Sequence, residues 1–83
     1  MSFFSRLKLH EPLFRGMADR LGIDLGDWIT RNPEHVGDYR GAVLSCTSCT
    51  HGAECTAWQA DHPVAEWAPD YCRNRRMLQR IRP

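Results

Sequence analysis

The sequence predicts a small all-α domain of about four to five short helices stapled by a four-cysteine site, and three observations predict it. Apolar residues recur at three- and four-residue steps in each patterned segment. No segment shows the two-residue alternation of a half-buried strand. Four cysteines, Cys46, Cys49, Cys55 and Cys72, fall within 27 residues of an 83-residue chain. A chain of this length makes one domain, residues 1–83, near the size where a metal or cross-link supplements the core. Its 42% hydrophobic and 25% charged residues are those of a globular chain, not a disordered one.

The elements follow in order. Residues 1–9 read as a flexible N-terminus. From Pro12 to Leu21 the residues Leu13, Phe14, Met17, Ala18 and Leu21 share one arc of a helical wheel. Pro12 suits the first turn of that helix and Gly22 its exit. Asp24 to Ile29 predicts a short helical turn with Leu25, Trp28 and Ile29 inward. Asn32-Pro33-Glu34 reads as a helix start: an N-cap, Pro at the first position and an acid near the positive dipole end. The helix that follows aligns Val36, Tyr39, Val43 and Leu44 and runs into Cys46. Thr50 to Gly52 reads as a turn and Ala53 to Ala60 as a short helix carrying Cys55 and Trp58, broken by Asp61-His62-Pro63. Pro63 to Asp70 is a connector anchored by Trp67. Asn74 is the expected cap of a last helix within the Arg-rich residues 73–83, with Met77, Leu78 and Ile81 as its apolar stripe.

The formal charge of +1 conceals an asymmetry. Residues 1–72 carry six basic and ten acidic residues, a net of −4, while residues 73–83 carry five Arg and no acid, a net of +5. A basic end on an acidic body can dock on an acidic protein, on nucleic acid or on the body itself. Arg73, Arg76 and Arg80, at i, i+3 and i+7, share one helix side and are the expected partner-binding residues; nucleic acid is the weaker of the two expectations. No apolar run is long enough to cross a bilayer. The first eight residues, Met1 to Lys8, lack the apolar core and cleavage site of a secretory signal. The expected setting is cytoplasmic, where thiols stay reduced and clustered cysteines serve as ligands or redox groups.

The cysteine spacing carries the chemistry. In Cys46-Thr47-Ser48-Cys49 the sulfurs lie about one helical turn apart, so a single site can take both with little strain. Cys49 and Cys55 would point to different faces of a continuous helix, so the chain must turn between them, and His51-Gly52 is where a positive φ is expected. Cys72 returns from far along the chain to close the site. Structural zinc sites commonly pair two short knuckles, and only one is present here. An iron–sulfur cluster, expected as 4Fe-4S, tolerates the uneven x5 and x16 loops, and Trp58, Trp67 and Tyr71 can supply its apolar shell. Zinc is the alternative metal. CTSC also mimics a dithiol redox motif, but without the strand–helix context of that motif. His51 is a substitute ligand candidate, whereas His10, His35 and His62 have no partner at ligand spacing.

The stretch Arg40 to Asn74, with C-T-S-C, C-T-A-W and P-D-Y-C-R-N, resembles a family of small bacterial four-cysteine proteins classed as a domain of unknown function. The segment Met17-Ala18-Asp19-Arg20-Leu21-Gly22-Ile23-Asp24 resembles that family's opening helix. The resemblance covers most of the chain and implies no activity. Separately, C-x2-C-x5-C is similar to the last three ligands of the iron–sulfur loop in endonuclease III-type DNA glycosylases. There the first cysteine lies upstream, whereas Cys72 lies downstream, and the glycosylase body is absent. That likeness implies a cluster-compatible spacing and no role in DNA repair.

Two function classes follow. One is a small iron–sulfur protein for electron transfer or redox and iron sensing. The other is a structural zinc module that docks an acidic protein or nucleic acid through its Arg-rich end. An enzyme is the least expected class, since no carboxylate pair, phosphate loop or nucleophile triad is present in the sequence.

Overall fold

The structure, a computed structural model, describes residues 2–83. Among these, five α-helices and one 3-10 turn make an all-α fold with no strand: α1 (Phe3–Arg20), α2 (Leu25–Arg31), the 3-10 turn Pro33–His35, α3 (Val36–Thr47), α4 (Gly52–Asp61) and α5 (Arg75–Ile81). No helix among the described residues is long and apolar enough to cross a membrane.

The first helix starts much earlier than the periodicity predicts. The Ser2 hydroxyl accepts from the Ser5 N–H at 3.2 Å and caps α1. Residues 3–9, expected to be flexible, are therefore helical, and Pro12 sits inside α1 rather than at its start. The helix forgoes only the hydrogen bond that a residue at position 12 would give to the Lys8 carbonyl. Leu7, His10, Phe14 and Met17 form its inward stripe. Exposed Phe3, Phe4 and Leu9 blur that stripe in the sequence.

The exit is as expected. Gly22 adopts φ 76°, the one left-handed backbone among the described residues. Ile23 N–H bonds the Ala18 carbonyl at 2.9 Å and Gly22 N–H the Asp19 carbonyl at 3.0 Å, the paired closure of a helix C-terminus on glycine. Asp24 then caps α2 by accepting from Asp27 N–H at 3.0 Å.

Two expected asparagine caps serve other ends. Asn32 donates Nδ2 to the Trp28 carbonyl at 2.9 Å, so it closes α2 instead of opening α3. Asn74 stands at the cap position of α5 but makes no cap bond. Its side chain is buried and donates to the Ala42 carbonyl of α3 at 2.8 Å.

The core is built on α1 lying across α3 and α4. Phe14, Met17, Ala18 and Leu21 meet Ile23, Leu25, Ala42, Val43, Ala68 and Leu78, and the Phe14 ring meets Tyr39 edge-on with centroids 5.8 Å apart. On α3 the buried side is Ala42, Val43 and Thr47, flanked by Tyr39 and Cys46. Val36 and Leu44, expected inward, are 48% and 50% exposed. The connector is anchored by Ala68 rather than by Trp67: the Ala68 methyl is buried in the core cluster, whereas Trp67 is 48% exposed. Trp67 lies outside and carries the Arg75 guanidinium 4.5 Å above its ring. The same connector is tied to α1 by Ala65 N–H to the Arg20 carbonyl at 2.8 Å.

Candidate metal centre

Three short backbone features bring the four thiols together. Cys46 stands in the last turn of α3, and Cys49 N–H returns to the Cys46 carbonyl at 2.9 Å, which folds the CTSC segment on itself. Cys55 lies in the first turn of α4, where its N–H bonds the His51 carbonyl at 2.8 Å. Cys72 is held in the turn before α5, its N–H on the Pro69 carbonyl at 2.9 Å and its carbonyl accepting from Arg75 N–H at 3.2 Å.

Gly52 does not supply the expected positive φ between Cys49 and Cys55. Its hydrogen instead leaves room for the His10 ring, since a β-carbon at position 52 would lie 3.2 Å from His10 Cε1. His10 has no ligand-spaced partner in the sequence, yet it is buried against the site and its carbonyl accepts from the Cys46 Sγ–H at 3.5 Å.

All four cysteines are free and half-buried. Every pairing among the four thiols is close enough for a charge on one to disfavour a charge on another. Burial first, and then the charges of Cys49, Cys55 and Cys72, push the Cys46 thiol up to about 12. Burial also raises Cys55, opposed by the Gln59 hydrogen bond and by the Arg20 guanidinium. Cys72 is raised by burial, opposed by the nearby Asn74 backbone N–H and by Arg75.

Two of the four sulfurs receive an N–H. His51 N–H reaches Cys49 Sγ at 3.4 Å. Gln59 Nε2 reaches Cys55 Sγ at 3.4 Å while also donating to the Leu13 carbonyl at 2.8 Å. Donors aimed at sulfur favour the thiolate, the form that binds metal. Cys46 instead donates to a carbonyl and must lose that bond to become a ligand.

Around a single zinc ion tetrahedral thiolates would stand roughly 3.8 Å apart, given a Zn–S length near 2.3 Å. Among the described residues, no three His, Cys, Asp or Glu side chains are gathered in a way that holds one metal ion as they stand. A single ion would be held only after the thiols rotate, with Cys46 giving up its bond to the His10 carbonyl.

The neighbouring side chains are not equivalent. The His51 imidazole is engaged by Glu54, Nδ1 to Oε1 at 2.9 Å, and its ring lies 4.8 Å from that of Tyr71. Trp58 is half-buried and stacked on His62 at 4.3 Å. Trp67 faces Arg75. Gln59, His10 and the Asn74 amide are site neighbours that spacing does not reveal, since α1 reaches the cysteine loop only through tertiary packing. Two surface grooves lie elsewhere, one beside Arg15, Gly22 and Tyr39, the other between α3 and α5 beside Trp28, His35 and Arg80.

No curated protein and no solved structure matches the chain. A family model matches over residues 1–83, and the chain belongs to the family of unknown function DUF6455.

Proposed function

We propose that Cys46, Cys49, Cys55 and Cys72 hold an iron–sulfur cluster, read as 4Fe-4S, and that the protein serves electron transfer or redox and iron sensing. The observation that carries this reading is that four free thiols lie within electrostatic reach of one another, two of them with an N–H on sulfur. Hydrogen bonds to thiolate sulfur and a partly apolar surround are the features through which a protein sets a cluster's potential. When bound, the cluster would supply one-electron redox chemistry. The chain's own groups would neutralise part of its negative charge, with Arg20 beside Cys55 and Arg75 beside Cys72. Such a site belongs in a reducing, cytoplasmic setting. An acidic protein partner would meet Arg76 and Arg80 on α5 and Arg73, which lies in the turn ahead of that helix and donates to Ser45 Oγ at 3.3 Å.

Anaerobic purification followed by iron, sulfide and zinc analysis tests the reading. Broad visible absorbance with stoichiometric iron and sulfide, lost in each single Cys→Ser variant, is the expected result. A colourless protein with one equivalent of zinc overturns it. That outcome has its own structural support, since the cysteines join the end of α3, the start of α4 and the approach to α5 as a structural zinc would.

A further inference from the structure

We infer that Tyr71 is a positioning residue of the four-cysteine site, donating its hydroxyl hydrogen to a sulfur there and so setting the site's electronic character. The inference rests on the reading above that the cysteines hold a metal or cluster. The first observation is that Tyr71 Oη is buried and has no hydrogen-bond partner among the described residues. Buried hydroxyls are overwhelmingly paired, and a tyrosine hydroxyl left without a partner marks a place where one is due.

The second observation is where the ring is held. Tyr71 is the chain neighbour of Cys72, the cysteine that arrives from the far side of the connector. Its ring lies on His51, at 4.8 Å between centroids and 32° between planes. The His51 backbone N–H is itself on Cys49 Sγ, and its imidazole is fixed by Glu54. The phenol is thus clamped between the two segments that supply the site. The groups around the phenol that can carry negative charge are Cys55, Glu54, Cys49 and Cys72. Of these anionic groups, the Glu54 carboxylate is taken by His51 and points into solvent. The sulfurs are the acceptors that remain.

A thiol is a weak acceptor, and a metal-bound thiolate or sulfide is a much stronger one. Loading the site would therefore satisfy the hydroxyl. A hydrogen bond to sulfur withdraws electron density from the metal and favours the more reduced, more negative state. Removing it should lower the reduction potential without removing a ligand.

The test compares wild-type protein with Tyr71→Phe, both purified anaerobically. With iron and sulfide content equal in the two, the oxidation equilibrium should shift three- to tenfold toward the oxidised state in Tyr71→Phe, a tenfold change being about 59 mV for a one-electron couple. Equal potentials at equal loading overturn the inference. Should Tyr71→Phe fail to load, wild-type fold is kept by incorporating 3-fluorotyrosine into a Tyr39→Phe background, where Tyr71 is the sole tyrosine. The more acidic phenol should raise the potential, and an unchanged potential refutes the assignment. If wild-type protein holds no cluster, the function proposed above fails while Tyr71 is still tested. The same two proteins loaded with cobalt(II) should then differ in their sulfur-to-cobalt charge-transfer band, and coincident bands refute the donor role.

Discussion

Cys46 is the residue on which the site's chemistry turns, because its thiol is the one raised furthest and the one bonded as a donor. In metal-free, reduced protein its thiol is raised from the ordinary 9.0 to about 12, by burial first and then by the other three cysteines. A folded-state value above the unfolded one means that the native state holds the proton more tightly. The resulting stability is complete below pH 9 and is lost as pH rises from about 9 toward 12. The metal-free thermal midpoint should therefore fall across that window, and Cys46→Ser should flatten the fall. A midpoint constant from pH 8 to 11 would contradict this. The same residue shows what spacing can and cannot reveal. That Cys46, Cys49, Cys55 and Cys72 share a locality follows from chain positions alone. That Cys46 is held by the His10 carbonyl does not, because that bond joins residues 36 apart through the packing of α1 on α3.

Glycines separate close packing from open surface at the level of elements. Gly16 of α1 faces Gln59 of α4, and a β-carbon there would collide with the Gln59 amide oxygen and lie 3.2 Å from its Cδ. Gln59 is not free to yield, since its Nε2 holds the Leu13 carbonyl and Cys55. Gly16→Ala should therefore destabilise by about 1–3 kcal/mol despite the gain in helix propensity. Gly41 of α3 has nothing within 4 Å, so Gly41→Ala should stabilise by about 0.5–1 kcal/mol. Chemical denaturation of both variants checks the pair; an equal effect at the two positions would mean that α1 and α4 are not in contact. Element positions were largely legible where local chemistry decides them, as at Gly22, Pro63 and the Asp24 turn. What caps each end is less legible where a polar side chain has a distant alternative. Asn74 prefers the Ala42 carbonyl to its own helix, and nothing in Asn74-Arg75-Arg76 announces that choice. Residues 3–9 misled for the opposite reason. Their few core contacts, chiefly Leu7, give a weak stripe although the backbone is helical.

The whole molecule is a thin layer of short helices, 34 × 28 × 17 Å in extent, and helices of seven to twelve residues are marginal by themselves in water. Only α1 is longer. Metal binding to four thiols at once would join α3, α4 and the approach to α5, so the free energy of binding becomes free energy of folding. Chelation under reducing conditions should therefore lower the thermal midpoint, and reduce the far-ultraviolet helical signal at temperatures where the loaded protein is still folded. An unchanged spectrum and midpoint would show that the hydrophobic core suffices. Charge acts at the same scale. Arg75 is committed within the fold, over Trp67 and to the Ala68 carbonyl at 3.0 Å, whereas Arg76 and Arg80 are exposed. Reversing Arg76 and Arg80 to Glu should weaken capture of an acidic partner by tenfold or more at low salt and leave metal content unchanged. Loss of metal instead would assign these arginines to neutralising the acidic body.

The tie between Ala65 N–H and the Arg20 carbonyl also bears on how fast the site can form. Sixteen residues separate Cys55 from Cys72, and a free loop of that length would leave the last thiol searching a wide volume. Pinned to the end of α1 midway, and pinned again where Arg75 grips the Ala68 carbonyl, the loop becomes two short spans with little freedom left to lose. Cys72 is then kept at high effective concentration beside the other three before any metal arrives. Capture should be limited by proton departure from the thiols, with a rate that climbs with pH, rather than by the return of the chain.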